Sequence, residues 1–200
     1  MNNGKKRYWD MLKVHESVAC VLYNTSRDVL IFVKQFRPGT QLKEDFIPYC
    51  AVFVYRALST GSTTTSIEVE GQSVDWDKVS PNLGITLELC AGIVDETLNL
   101  NEIVKKEVLE ECGYEIPSEN FQRVTSYRTT GISGSKQTLF YAECTDQMKI
   151  SEGGGLAEEG EFIDVVEMSI PQVRNLIQDE QVTRPATLLF GITWFLMNKV

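Results

Sequence analysis

Apolar runs and the polar breaks between them divide the chain into elements. Residues 17–23 and 29–36 are apolar, β-branched and aromatic runs of strand length, and Asn24-Thr25-Ser26-Arg27-Asp28 between them reads as a hairpin loop. Pro38 stops the second run and leaves Arg37 at its mouth. Residues 46–57 predict a further strand. Residues 58–83 are Ser/Thr/Gly-rich and then acidic, a long surface insertion with a short strand at 66–69; such loops are either functional or without fixed structure. Strands are also predicted over 85–90, 121–127, 137–144 and 162–168. Asn99 is a good N-cap with Glu102 three residues on, and Gly113 stands where a left-handed residue is wanted, so a helix lies between them. Ser169-Ile170-Pro171-Gln172 opens a second helix with a capping box. Thr183 and Pro185 open the last, which is apolar on most sides from Leu188 to Leu196 and is expected to pack into the core or a partner. Strands mixed with few helices, without regular βαβ alternation, predict either an α+β fold or a mixed-sheet α/β/α sandwich.

Composition narrows the classes. Two hundred residues suit one domain with a real core, and 42% hydrophobic with 24% charged residues is ordinary for a soluble chain. A net charge of −9 argues against nucleic acid as a partner, which needs a basic footprint. The N-terminal residues contain no apolar signal-like run, and the apolar run over 188–197 is too short to span a bilayer, so no membrane role is expected. Five scattered cysteines read as buried thiols of a reducing compartment, which predicts a cytoplasmic protein. The single histidine, His15, excludes chemistry that needs a histidine cluster.

The helix after Asn99 carries the chemistry. Glu107, Glu110 and Glu111 stand at i, i+3 and i+4 and share one face, with Glu111 at the edge of the apolar stripe. Like charges at this spacing oppose one another, and a divalent cation would reverse the sign of that cost. The alternative is a solvated acidic face. Arg37 is either a surface ion pair or an anion clamp. The loop 128–136, with glycines, hydroxyls and cations, is either a substrate contact or a plain polar connection. Gly153-Gly154-Gly155-Leu156-Ala157-Glu158-Glu159-Gly160-Glu161 is an odd linker but suits a mobile lid bearing a catalytic base.

From Gly92 the string runs Gly, five residues, Leu98, seven residues, Lys106-Glu107-Val108, one residue, Glu110-Glu111, one residue, Gly113-Tyr114. It resembles the Nudix box, whose usual form has Glu where Leu98 stands and Arg where Lys106 stands. In the family those two mainly brace the loop and helix. Val33-Lys34-Gln35-Phe36-Arg37-Pro38, Glu88-Leu89-Cys90-Ala91-Gly92, the stretch from Gly155 to Glu161 and the stretch from Phe190 to Leu196 are similar to the nucleoside-diphosphate-sugar branch, so the likeness covers nearly the whole chain. The resemblance implies a Nudix α/β/α sandwich with a mixed β-sheet over residues 15–200. It also implies an arm over residues 1–14 that contacts a second copy in a homodimer. The chain begins later than the likeness leads one to expect, which bears on that contact and not on the chemistry.

The implied activity is Mg²⁺-dependent hydrolysis of the pyrophosphate bond of nucleoside diphosphate sugars, with Mn²⁺ as a substitute. UDP-glucose, giving UMP and glucose 1-phosphate, comes first, and ADP-ribose, giving AMP and ribose 5-phosphate, is the alternative. By the same resemblance Glu107 and Glu111 are the leading metal ligands. Glu110 stands beside them for metal or catalysis, the Ala91 carbonyl helps, and Glu161 is a further metal contact. Glu159 is the implied base and Glu158 its rival, because register in a glycine-rich loop is ambiguous. Arg37, Lys136 and Gly134 are the candidates for phosphate or sugar contacts. The reading from a different class is a non-catalytic nucleotide-binding module, against which the retained glutamates speak. An isomerase of this fold needs Cys and His residues that one histidine does not supply.

Overall fold

The computed structural model of the chain describes residues 12–37, 68–69, 72–73, 84–94, 97–130 and 133–200. β1 (Ser17–Asn24) and β2 (Val29–Phe36) form the predicted antiparallel hairpin. β3 (Glu68–Val69) and β4 (Gln72–Ser73) make a separate two-stranded pair inside the predicted insertion. The rest of residues 58–83, the strand expected over 46–57, residues 1–11 of the arm and Cys50 lie outside the described residues.

The register of the hairpin sets the shape of the site. β1 and β2 pair only beside the turn, Leu22 to Asn24 against Ile31 to Val29, and then diverge. β5 (Ile85–Glu88) pairs with β2 and β6 (Cys90–Ile93) pairs with β1, filling the wedge between them. The strand expected over 85–90 therefore breaks at Leu89 and runs on to Ile93, because the freed edge of β1 still needs hydrogen-bond partners. Past β6 come α1 (Leu100–Cys112) and β7 (Gln122–Arg128), which pairs antiparallel with β8 (Lys136–Cys144). β8 in turn lies parallel to the whole of β1, and β9 (Ile163–Ser169) is antiparallel to the outer edge of β2. Among the described residues this makes one mixed sheet of seven strands.

Alternation along β1 divides the core in two. Val18, Cys20 and Leu22 pack against Ile103, Val104 and Val108 of α1. Ala19 and Val21 face the opposite layer, where α2 (Ile170–Leu176) contributes Val173 and α3 (Ala186–Asn198) contributes Leu188, Ile192 and Phe195. A sheet covered on both faces reads as continuous apolar runs, which is why residues 17–23 and 29–36 show little polar alternation. Burying each large side chain contributes about 1.5–3 kcal/mol. The three layers are those of the α/β/α sandwich. Cys20, Cys90, Cys112 and Cys144 are buried and unpaired, as the sequence suggests. Among the described residues no helix is long and apolar enough to cross a membrane.

At the hairpin turn a polar network ties the exit of α1 to the sheet. Arg27 bonds Asp146 at 2.6 Å, the Tyr114 hydroxyl at 3.0 Å and the Glu167 carboxylate. Buried Asn24 donates to Asp146 at 2.8 Å and, with Arg27, holds that carboxyl below its ordinary pKa. Tyr114 follows Gly113 directly, so this network also fixes the end of the helix that carries the glutamates.

Candidate active site

Where β1 and β2 part, a cavity of about 510 Å³ opens over the wedge. α1 supplies its acidic side. The Asn99 side chain accepts from the Glu102 N–H at 3.0 Å to start the helix, and Gly113, with φ of 80°, ends it with its N–H on the Leu109 carbonyl. With Ile103, Val104 and Val108 turned into the core, the helix is rotated so that Glu107, Glu110 and Glu111 line the cavity.

Glu111 is only 2% exposed, and its Oε2 accepts from the Ala91 N–H at 3.0 Å. Burial is the main cause that drives its pKa from 4.5 up to about 8. Hydrogen bonds from Cys90 and the Ala91 N–H oppose that shift, and the Glu107 and Glu161 charges add to it. Gly92 brings the Glu107 carboxylate in. It lies within β6 opposite Val18, and a β-carbon built on it would overlap the Glu107 carboxyl group. A glycine inside a strand often marks such a close approach.

The late loop is fastened to this helix. Gly154 N–H donates to the Glu111 carbonyl at 2.9 Å and Gly155 N–H to the Glu110 carbonyl at 3.0 Å, satisfying two carbonyls at the C-terminus of α1. The segment read from sequence as a mobile lid is thus a cap on the helix that bears the glutamates. Its Glu161 lines the cavity and accepts from the Leu156 N–H at 3.0 Å. Gly155 and Gly160 share φ of 77°, but only at Gly155 would a β-carbon come within 2.8 Å of Cβ and Oε2 of Glu161; at Gly160 nothing lies within 4 Å. Alanine at either position costs about 1–2 kcal/mol of backbone strain. Gly155→Ala is therefore expected to lower kcat/KM about tenfold further than Gly160→Ala at similar loss of thermal stability, and equal activities would remove Glu161 from the site.

The other side chains singled out from sequence divide. Arg37 lines the cavity and is ion-paired, with Nε and Nη2 both 3.0 Å from the Glu88 carboxylate. Burial opposes its charge, and Glu88 outweighs burial, so the guanidinium pKa lies above its ordinary value. Lys136 and Gly134 line a different depression. There Lys136 bonds Glu16 at 3.0 Å, so the structure does not bring these two to the carboxylates. β8 begins at Lys136, and alternation turns Gln137, one residue on, into the main cavity instead. Glu158 is exposed on the turn Ala157–Glu159 and does not line the cavity; the Glu159 side chain lies outside the described residues. Lys106 lines the cavity, and Leu98 is 46% exposed at its approach to the helix.

Sequence reasoning passed over Glu88 and Gln137. A signal for Glu88 existed, as the lone carboxylate in the apolar stretch from Ile85 to Cys90. It accepts from Gln35 at 3.2 Å and from Thr86 as well as from Arg37. For Gln137, an unremarkable residue at a strand start, there was none. Among the described residues no three His, Cys, Asp or Glu side chains close on a single point. Five carboxylates line one cavity instead; with Glu88 taken up by Arg37, the other four leave an oxygen-only donor set that suits a hard divalent cation.

A three-layer sandwich with a helix-borne row of glutamates over a split mixed sheet defines a Nudix hydrolase, and the chain belongs to that family. No family model matches it, but curated relatives do. It is 40% identical over 195 residues to the uridine diphosphate glucose pyrophosphatase NUDT14 of Bos taurus, covering 96% of this chain and 83% of that protein. Its identity to the protein of the same name from Mus musculus is 36% over 200 residues, covering 99% and 85%. A GDP-mannose pyrophosphatase of Escherichia coli (strain K12) is 24% identical over 169 residues, covering 84% of this chain and 68% of that protein.

Proposed function

We propose that the protein hydrolyses the pyrophosphate bond of nucleoside diphosphate sugars, taking UDP-glucose to UMP and glucose 1-phosphate. The observation that carries this reading is the convergence of Glu107, Glu110, Glu111 and Glu161 on one cavity that Arg37 also lines. The relatives named as pyrophosphatases of uridine and guanosine nucleotide sugars support the substrate class.

A net charge of −9 and an acidic cavity need a counter-charge before a diphosphate can enter. The oxygen-only chemistry of the lining fits Mg²⁺, with Mn²⁺ as a substitute; Glu107 and Glu111 would be the leading ligands, with Glu110, Glu161 and the Ala91 carbonyl beside them. Bound there, the cation supplies charge neutralisation at the two phosphates and a more acidic water. The protein's own groups do the rest. Arg37, held by Glu88, presents its guanidinium to a phosphate oxygen. A late-loop carboxylate, Glu159 by resemblance with Glu158 as its rival, takes the proton from the attacking water. That water adds to one phosphorus, the bridging P–O bond breaks, and each product leaves with one phosphate. The reading includes a homodimer and a cytosolic location, the latter in keeping with the four buried thiols.

Chromatography of products after incubation with Mg²⁺ and either UDP-glucose or ADP-ribose tests the proposal. UMP is expected to form faster than AMP. The reverse order would move the protein to ADP-ribose, and nucleotide binding without product would make it a binding module.

A further inference from the structure

The two sides of the cavity differ in charge. Its charged side chains (five glutamates, Arg37 and Lys106) come from α1, the late loop and the strands of the wedge. On the side of α3 the lining is neutral: Ser17, Leu89, Gln137, Pro185 and Thr187. Gln137 sits there in a fixed frame. Its backbone lies between Ser17 of β1 and Tyr127 of β7, and its Oε1 accepts from the Tyr127 hydroxyl at 2.9 Å and from Thr187 Oγ1 at 3.0 Å. Tyr127 is itself held edge-on by Phe190 of α3, ring centres 5.4 Å apart.

Two donors fill both lone pairs of that oxygen. The amide cannot flip without breaking both bonds, so its NH₂ group is turned away from them; among the described residues it has no partner and is not sealed from solvent. That NH₂ group offers donors and no acceptor, so it pairs with a carbonyl oxygen and not with an amino group. We propose that Gln137 is a specificity-determining residue whose amide N–H, oriented by Tyr127 and Thr187, donates to the keto oxygen of the nucleotide base and so selects uracil over cytosine. The inference rests on the nucleotide-sugar reading. Cytosine carries an amino group where uracil carries that oxygen, and its N–H would face another N–H.

The test is calorimetric binding of UMP and CMP, in Mg²⁺, to wild-type protein, Gln137→Glu and Tyr127→Phe, each checked for folding by circular dichroism. Wild type is expected to bind UMP at least tenfold tighter than CMP. In Gln137→Glu, where both carboxylate oxygens are acceptors, that preference is lost or reversed. Should Gln137→Glu not fold, Tyr127→Phe decides, because an amide freed of one restraint can turn its oxygen to CMP and the ratio should fall severalfold. A wild type that binds both equally, or variants that weaken UMP and CMP by the same factor, would overturn the proposal. Because binding is read without turnover, a protein that discriminates but does not hydrolyse would sink the function proposed above and leave this inference standing.

Discussion

Glu111→Gln is expected to lower kcat by roughly 10³-fold, equivalent to about 4 kcal/mol of transition-state stabilisation, while the fold persists. The reason is electrostatic. The substitution removes one ligand charge from the acidic side of the cavity and keeps the shape, and an amide oxygen can still accept from the Ala91 N–H. Stability should move the other way. Burial foremost raises the Glu111 pKa from 4.5 to about 8. Its contribution to stability is therefore complete below the unfolded value and is lost as pH rises toward the folded one. At pH 7 the metal-free protein has lost about 3 kcal/mol of that contribution. Urea midpoints in chelator at pH 5 and pH 8 should fall with pH in wild type and flatten in Glu111→Gln, which is expected to be the more stable of the two at pH 8. Activity and stability falling together would make Glu111 a packing residue and end the ligand assignment.

The second large effect is expected at Gly92. Its φ is not in the left-handed region, so alanine fits the backbone of β6 without strain, and stability should change by less than about 1 kcal/mol. The new methyl group, however, would occupy the space of the Glu107 carboxyl, which must move out. A misplacement on that scale is expected to cost about 10²-fold in kcat/KM. Adding Gly92→Ala to Glu107→Gln should then do little further harm, since both act through one carboxylate. Kinetics of the two single variants and the double variant would show this; full additivity would mean that Gly92 matters for another reason.

The parts of the site read most easily were those carried by a single element. Glu107, Glu110 and Glu111 share a face because one helix with a readable N-cap and C-cap has a fixed period, and Val104 and Val108 fix which face is dry. Gly113 and the Ser169–Gln172 box were legible for the same reason: their partners lie within a turn, as in the 2.8 Å bond from the Ser169 N–H to Gln172. Features that depend on residues distant in sequence are harder to read. Lys136 and Gly134 looked like substrate contacts by composition, yet alternation along β8 brought Gln137 to the cavity in their place. The glycine-rich loop looked free because nothing nearby in sequence could tell that its amides end on the carbonyls of Glu110 and Glu111.

By itself, then, the sequence determined the helix, its row of carboxylates and the hairpin of two apolar strands, all consequences of periodicity and local hydrogen bonding over a few residues. Only the tertiary structure decided what those carboxylates face. The fastening of the late loop to α1, the Arg37–Glu88 pair and the Thr187–Gln137 bond each join segments dozens of residues apart in sequence, and β1 parts from β2 where β5 and β6, equally remote, pair with them. Their geometry follows from strand register and from the need to satisfy buried polar groups across the whole fold.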